Sequence, residues 1–71
     1  MTATDDEIVT FVRDFCGRHG FGPTIREVGE ALGYRSYTAV KYRLDNLREE
    51  GRVTWQDGRT RTLRVAREVT A

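Results

Sequence analysis

Residues 33–51, GYRSYTAVKYRLDNLREEG, predict a helix with two different faces. Ser36 stands at the N-cap position, where its hydroxyl can accept a hydrogen bond from a free amide of the first turn. Apolar side chains then recur at three- and four-residue spacing, which places them on one face: Tyr37, Val40, Leu44 and Leu47. Gly51 follows the last turn as a helix-terminating glycine. Residues 36–50 are therefore predicted to form an amphipathic helix.

The opposite face of this helix is polar and charged. On a helical wheel it carries Thr38, Ala39, Tyr42, Asp45 and Asn46, with Lys41 and Arg43 on its flanks. Small, hydrogen-bonding and basic side chains suit the major groove of DNA, which admits an α-helix and displays donors and acceptors on the base edges. They suit plain solvent equally well, so the helix alone leaves both interpretations open.

The length and charge of the chain narrow the class of protein. The 71 residues make one small domain, without an apolar run long enough to cross a membrane. The single cysteine, Cys16, has no partner for a disulfide, which fits a reducing cytoplasm. The net charge of +1 hides an asymmetry, since residues 1–34 carry three arginines against six acids and residues 35–71 carry nine basic residues against five acids. The second half of the chain is thus predicted to present a face to a polyanion.

Two capping boxes predict two helices before the third. Thr4 with Glu7, and Thr24 with Glu27, have the spacing at which side chain and backbone bond reciprocally at a helix start. They begin predicted helices at 5–19 and 25–32, separated by a turn at 21–23. The apolar positions of the first helix are Ile8, Phe11, Val12 and Phe15, with Cys16 as a small filler beside them. Those of the second are Ile25, Val28, Ala31 and Leu32, and Gly29 is expected to let a neighbouring helix approach closely. Two short helices joined by a turn containing glycine are typical of a helix-turn-helix, although a plain three-helix bundle shares the pattern.

Two alternating runs after the third helix, 52–55 and 60–65, predict a β-hairpin. Val53, Trp55, Leu63 and Val65 fall on one face of it, and Asp57-Gly58 is a favoured hairpin turn. A hairpin of this size must pack on something, so Trp55 is predicted to cover the helical core. The outward side and tip carry Arg59, Arg61 and Arg64, as the wing of a winged helix does. The predicted fold is mainly α with a small β-hairpin: a winged helix-turn-helix of three helices and a two-stranded antiparallel wing over 4–66, followed by a flexible tail at 67–71.

The sequence resembles the N-terminal DNA-binding domain of LexA-type SOS repressors over about residues 6–63. The specific segment is GPTIREVGEALGYRS, residues 22–36, preceded by IVTFVRDF and followed by LDNLREEG. The resemblance implies that the third helix enters the major groove of a palindromic operator. It also implies that Thr38, Ala39, Lys41 and Tyr42 lie where bases are read.

Backbone contacts are predicted from Ser36 and from arginines around the helix and wing: Arg26, Arg35, Arg52, Arg59 and Arg61. The alternative to DNA contact is a solvated side chain for each wing arginine, and contact with a protein partner for Tyr42. The family commonly has Asn and two consecutive Glu where this chain has Thr38, Lys41 and Tyr42. Glu accepts from cytosine whereas Lys donates to guanine, so a different operator is expected. The sequence given does not include the peptidase-like domain of these repressors, so self-cleavage is not expected to carry over.

The predicted function is sequence-specific binding of double-stranded DNA by a small bacterial or phage transcriptional regulator in the cytoplasm, with helix 36–50 in the major groove and wing 56–61 on the backbone. A homodimer on DNA or a protein partner is expected to add affinity, since one small module usually binds DNA weakly. The alternatives are a winged-helix protein-interaction module, and an accessory recombination or replication factor. The sequence shows no metal-ligand spacing, cofactor loop or catalytic cluster, so neither a metal, a cofactor nor an enzyme activity is predicted.

Overall fold

The computed structural model describes residues 4–66 and confirms the predicted fold class. Three helices, α1 (Asp5–His19), α2 (Ile25–Leu32) and α3 (Tyr37–Glu49), precede two short strands, β1 (Val53–Thr54) and β2 (Arg64–Val65). The strands pair antiparallel, with Val53 opposite Val65 and Thr54 opposite Arg64. The predicted tail at 67–71 lies outside the described residues.

Local capping explains where the helices begin. Both predicted capping boxes form: the Glu7 amide donates to Thr4 Oγ1 at 3.2 Å, and the Glu27 amide donates to Thr24 Oγ1 at 3.0 Å. The two glutamates in turn accept from the threonine amides, each at 2.9 Å. Ser36 caps α3 as predicted, accepting from the Ala39 amide at 3.1 Å. These contacts satisfy amides that a helix start otherwise leaves unbonded.

The core lies between the three helices and the base of the hairpin. It consists of nine buried apolar side chains among residues 4–66: Ile8, Val9, Val12, Val28, Val40, Leu44, Leu47, Val53 and Leu63. Trp55 and Val65 pack against this cluster while staying partly exposed, so the predicted apolar face of the hairpin is confirmed. The helix period placed Phe11 correctly against the core but missed Val9, which is buried beside Ile8. Phe15 is half-buried and contacts the rings of Phe11, His19 and Phe21 instead.

Two apolar positions predicted to face inward are instead exposed. Tyr37 is 55% exposed, because the first turn of α3 extends past the core and its ring lines a surface groove beside α2 and the wing. Ala31 is exposed as well, whereas Val28 and Gly29 are the buried residues of α2. A helical wheel gives the direction of a side chain but not how far the neighbouring element reaches.

The strands of the wing are shorter than predicted, and the loop that connects them is longer. Only two residues of each run form a ladder, and residues 55–63 make the connection. Thr62 organises this loop: its hydroxyl accepts from the Gln56 amide at 2.8 Å and contacts the Arg59 carbonyl at 3.2 Å. Asp57-Gly58 turns the chain within the loop rather than closing a two-residue hairpin.

The second half of the wing is fastened to the α1–α2 turn. The Gly22 amide donates to the Arg61 carbonyl at 3.1 Å, and a Cβ on Gly22 would overlap the Leu63 carbonyl. The Cys16 thiol also lies 3.5 Å from that carbonyl oxygen. Burial raises the pKa of the Cys16 thiol, against an opposing effect of the Arg64 charge. Cys16 packs against the core cluster, as predicted for a small filler beside the apolar face of α1.

Candidate nucleic-acid interface

The outward face of α3 is open to solvent over its first two turns. Thr38 and Ala39 are exposed, and Tyr42 is 65% exposed. None of the three side chains makes a hydrogen bond, ion pair or ring contact within residues 4–66, and the core side of α3 carries Val40 and Leu44 instead. A helix that presents such a face has the shape and the free side chains needed to enter a major groove.

Lys41, also predicted to read bases, is not free. Its ammonium lies 2.9 Å from Asp45 Oδ1 and 3.2 Å from Oδ2, one helical turn further along α3. It also lies 5.5 Å from the centre of the Trp55 ring. Lys41 is therefore held on the wing side of α3, whereas Tyr42 projects into solvent.

Trp55 joins the wing to α3. The Arg48 guanidinium stacks on the indole at 4.3 Å from its centre and donates to the Trp55 carbonyl at 3.0 Å. The indole N–H donates to Asp57 Oδ1 at 3.2 Å, and Arg48 pairs with the same oxygen at 3.3 Å. This arrangement fixes the start of the wing loop against α3, a role for Arg48 and Asp57 that the sequence did not indicate.

Three of the predicted backbone-contacting arginines have free guanidinium groups. All three residues are exposed, and their guanidinium groups make no ion pair or hydrogen bond within residues 4–66: Arg26, Arg35 and Arg59. Arg26 and Arg59 line a groove of about 460 Å³ between the start of α2, the start of α3 and the wing loop. Arg26 and Arg35 line a second groove of about 240 Å³, together with the cap residue Ser36. The two grooves place positive charge on both sides of the start of α3.

The other two predicted arginines are engaged elsewhere. Arg52 pairs with Asp6 on α1 at 2.7 Å, and the hydrogen bond to Asp6 raises the pKa of its guanidinium. Both terminal nitrogens of Arg61 donate to the Glu27 carboxylate oxygens, each at 3.0 Å. The guanidinium lies over the Phe21 ring, 5.1 Å from its centre. The bond from Arg61 lowers the pKa of the Glu27 carboxyl, with a smaller contribution from the capping bond to Thr24. Both guanidinium groups are therefore bonded within the protein, unlike those of Arg26, Arg35 and Arg59.

Two negative findings apply to the described part of the chain. Within residues 4–66, no three His, Cys, Asp or Glu side chains come together as metal ligands would. No helix in this range has the length and apolar character needed to cross a bilayer.

These features define a winged helix-turn-helix domain with an exposed recognition helix. The family model of the LexA DNA binding domain matches residues 1–62 of the 71, and the chain belongs to this family. The resemblance seen in GPTIREVGEALGYRS is thereby confirmed.

Curated relatives agree with the family match. The chain is 32% identical over 65 residues to a "Transcription regulator LexA" of Synechocystis, and 31% identical over 65 residues to a "LexA repressor" of Exiguobacterium. It is 34% identical over 65 residues to a "LexA repressor" of Bordetella avium. These matches cover 92% of this chain but 30–32% of each relative, so the chain spans about a third of the length of these proteins.

Proposed function

We propose that this chain binds double-stranded DNA at specific sequences, as the DNA-binding part of a bacterial or phage transcriptional regulator. The observation that carries the proposal is the solvent-exposed face of α3 flanked by three free arginines, in a chain of the LexA DNA-binding domain family. The relatives named as LexA repressors support a role in transcription. Such a role would place the protein in the cytoplasm, where the chromosome lies.

Arg26, Arg35 and Arg59 are proposed to supply the phosphate contacts. Their guanidinium groups break no ion pair when they reach a phosphate, and bidentate bonds to phosphate suit arginine. Ser36 would add a contact near the positive end of α3, while its hydroxyl caps the helix. Arg52 and Arg61 would contribute through their charge or after leaving Asp6 and Glu27.

Thr38, Ala39, Lys41 and Tyr42 are proposed to contact base edges. Thr38 can donate and accept hydrogen bonds, Ala39 offers a methyl to thymine, and a lysine donates to guanine O6 and N7. Tyr42 adds a hydroxyl on a rigid ring. A lysine and a tyrosine at adjacent reading positions would select an operator different from one selected by two glutamates.

Two copies on adjacent half-sites are proposed for tight binding. A single small module buries only roughly 600–1,000 Å² on DNA, and paired helix-turn-helix modules sit about one helical turn apart. A palindromic selected site would support this arrangement, whereas a single half-site would indicate binding as a monomer.

A binding-site selection with the purified protein, followed by mobility shifts of the selected site at two salt concentrations, tests the proposal. Affinity should fall steeply as salt rises, because phosphate contacts release counterions. Arg35→Ala with Arg59→Ala should weaken binding to all sequences alike and reduce the salt slope by about 2. Arg18→Ala removes one exposed arginine that lines neither groove, so it is the charge-matched control for the single variants Arg35→Ala and Arg59→Ala. Absence of any binding at low salt would refute the DNA-binding proposal.

A surface of aromatic rings supports a second candidate, a protein-interaction module. Phe11, Phe15, His19 and Phe21 form a continuous series, with successive ring centres 5.9, 4.2 and 5.6 Å apart. Phe21 is 46% exposed, more than a ring in a stable core would be. This function would be favoured if the folded wild type binds no DNA but binds a protein partner, and if Phe21→Ser abolishes binding of that partner.

A further inference from the structure

Asp45 is the acidic residue that pairs with Lys41, one of the proposed base-reading side chains. Its carboxylate takes both close contacts of the Lys41 ammonium, at 2.9 and 3.2 Å. Both side chains remain partly in solvent, with 36% of Lys41 and 50% of Asp45 exposed. The pair is therefore accessible to a ligand and is not buried structure.

The wing fixes the other side of the Lys41 position. The ammonium lies 5.5 Å from the centre of the Trp55 ring, on which the Arg48 guanidinium also stacks. Arg48 and Asp57 position this ring, since Arg48 donates to the Trp55 carbonyl and the indole N–H donates to Asp57. Lys41 thus rests between a carboxylate and an aromatic face, and both attract a cation.

This resting position conflicts with base reading. In its resting position the ammonium donates toward both oxygens of the Asp45 carboxylate, on the wing side of α3. A bidentate contact to guanine O6 and N7 needs two protons as well. To direct its ammonium at guanine, Lys41 has to turn away from Asp45 and Trp55, so the base and the carboxylate compete for the same donor group.

We propose that Asp45 is a specificity-determining residue that competes with DNA for Lys41. The inference rests on the proposed DNA-binding function. With Asp45 present, the preference of Lys41 for guanine is weakened, and the carboxylate adds repulsion toward the phosphates. Without this charge, Lys41 is free to leave the wing side of α3 and enter the groove.

The expected effect is small but measurable. Exposed ion pairs one helical turn apart shift an equilibrium by about twofold. Removal of a negative charge from a surface that meets phosphates adds to this at low salt. We expect Asp45→Asn to tighten binding about two- to fivefold and to sharpen a guanine preference at one position of the selected site.

A double-mutant cycle separates competition for Lys41 from a general charge effect. Dissociation constants on the wild-type selected site are measured at low salt for the wild type, D45N, K41A and D45N with K41A. Glu49→Gln is the matched control, because Glu49 is an exposed acid one turn beyond Asp45 that pairs with no residue in 4–66. The gain from D45N should exceed that from E49Q in the Lys41 background and fall to the E49Q level in the K41A background.

Each outcome decides the inference. An equal gain from D45N with and without Lys41, or no gain and an unchanged selected sequence, would overturn the role of Asp45 while leaving DNA binding intact. A folded wild-type protein that selects no DNA would overturn the DNA-binding proposal, and the role of Asp45 with it. Circular dichroism of each variant shows whether it is folded, which the exposure of Asp45 leads us to expect.

Discussion

Replacement of Gly29 by alanine would measure how closely α2 and α3 approach each other. Gly29 is buried within α2 and has an ordinary helical backbone, so alanine needs no change of conformation there. A Cβ on Gly29 would lie 3.4 Å from Val40 Cγ1 and 3.7 Å from Tyr34 Cβ. These are van der Waals contacts, so the methyl group fits without displacing α3. The close approach expected from the sequence is present, but it leaves room for one methyl group.

Two effects on stability then act in the same direction. Alanine is more favourable than glycine within a helix by about 0.8–1.0 kcal/mol. A newly buried methyl group adds at most about 0.8 kcal/mol, and less here because the contact with Val40 is already close. We expect the free energy of unfolding to rise by about 1 kcal/mol. In a domain of this size that raises Tm by about 4–8 °C.

Gly33→Ala provides the matched control on the same helix. Gly33 ends α2 at φ 81°, and a Cβ there would meet no atom within 4 Å. The substitution is therefore unfavourable only through the left-handed backbone, by about 1–2 kcal/mol. Thermal unfolding followed by circular dichroism should show opposite shifts for the two variants. A Tm for Gly29→Ala below that of the wild type would refute the reasoning, since α3 would then lie too close for a methyl group.

Three further predictions concern the core and the wing. Gly22→Ala should destabilise the domain by about 1–3 kcal/mol in urea unfolding, because its Cβ overlaps the Leu63 carbonyl; a neutral result would show that the wing can move away. Leu47→Ala, at a fully buried position, should lower the free energy of unfolding by about 2–5 kcal/mol, and a smaller loss would indicate that α3 collapses into the cavity. Glu27→Gln should lower stability at neutral pH. Because the pKa of folded Glu27 is depressed, the stability difference from the wild type should shrink as pH falls below the ordinary value of about 4.3; a difference independent of pH would contradict this.

Helix boundaries could be predicted because their causes are local. Thr4, Thr24 and Ser36 each find their capping partner three residues away, and glycines end α1 and α2. The strand lengths could not be predicted in the same way. They depend on how Thr62 bonds to Gln56 across the wing loop, which no alternation of apolar and polar residues reveals.

In the candidate site, too, contacts between residues close in sequence could be predicted and long-range contacts could not. Lys41 and Asp45 are four residues apart on one helix, so their pairing could have been read from the sequence. The partners of Arg61 and Arg52 lie 34 and 46 residues away, and no local pattern indicates them. Sequence analysis could therefore list basic residues near the third helix but could not tell which of them are free. That distinction depends on tertiary contacts.

Arg59 and Arg61 look equivalent in the sequence of the wing loop but have different surroundings in the structure. Glu27 Oε1 accepts from the Thr24 amide at 2.9 Å, and the same carboxylate holds Arg61 at 3.0 Å through each oxygen. Since Thr24 begins α2, one carboxylate fixes both the start of the helix-turn-helix and the position of the wing. Arg61 adopts a left-handed φ of 62°, uncommon for a residue with a side chain, and this ion pair helps to hold it there. The wing is thus positioned by contacts within the protein, and Arg59, two residues earlier with a free guanidinium, is the wing arginine that we propose for a phosphate contact.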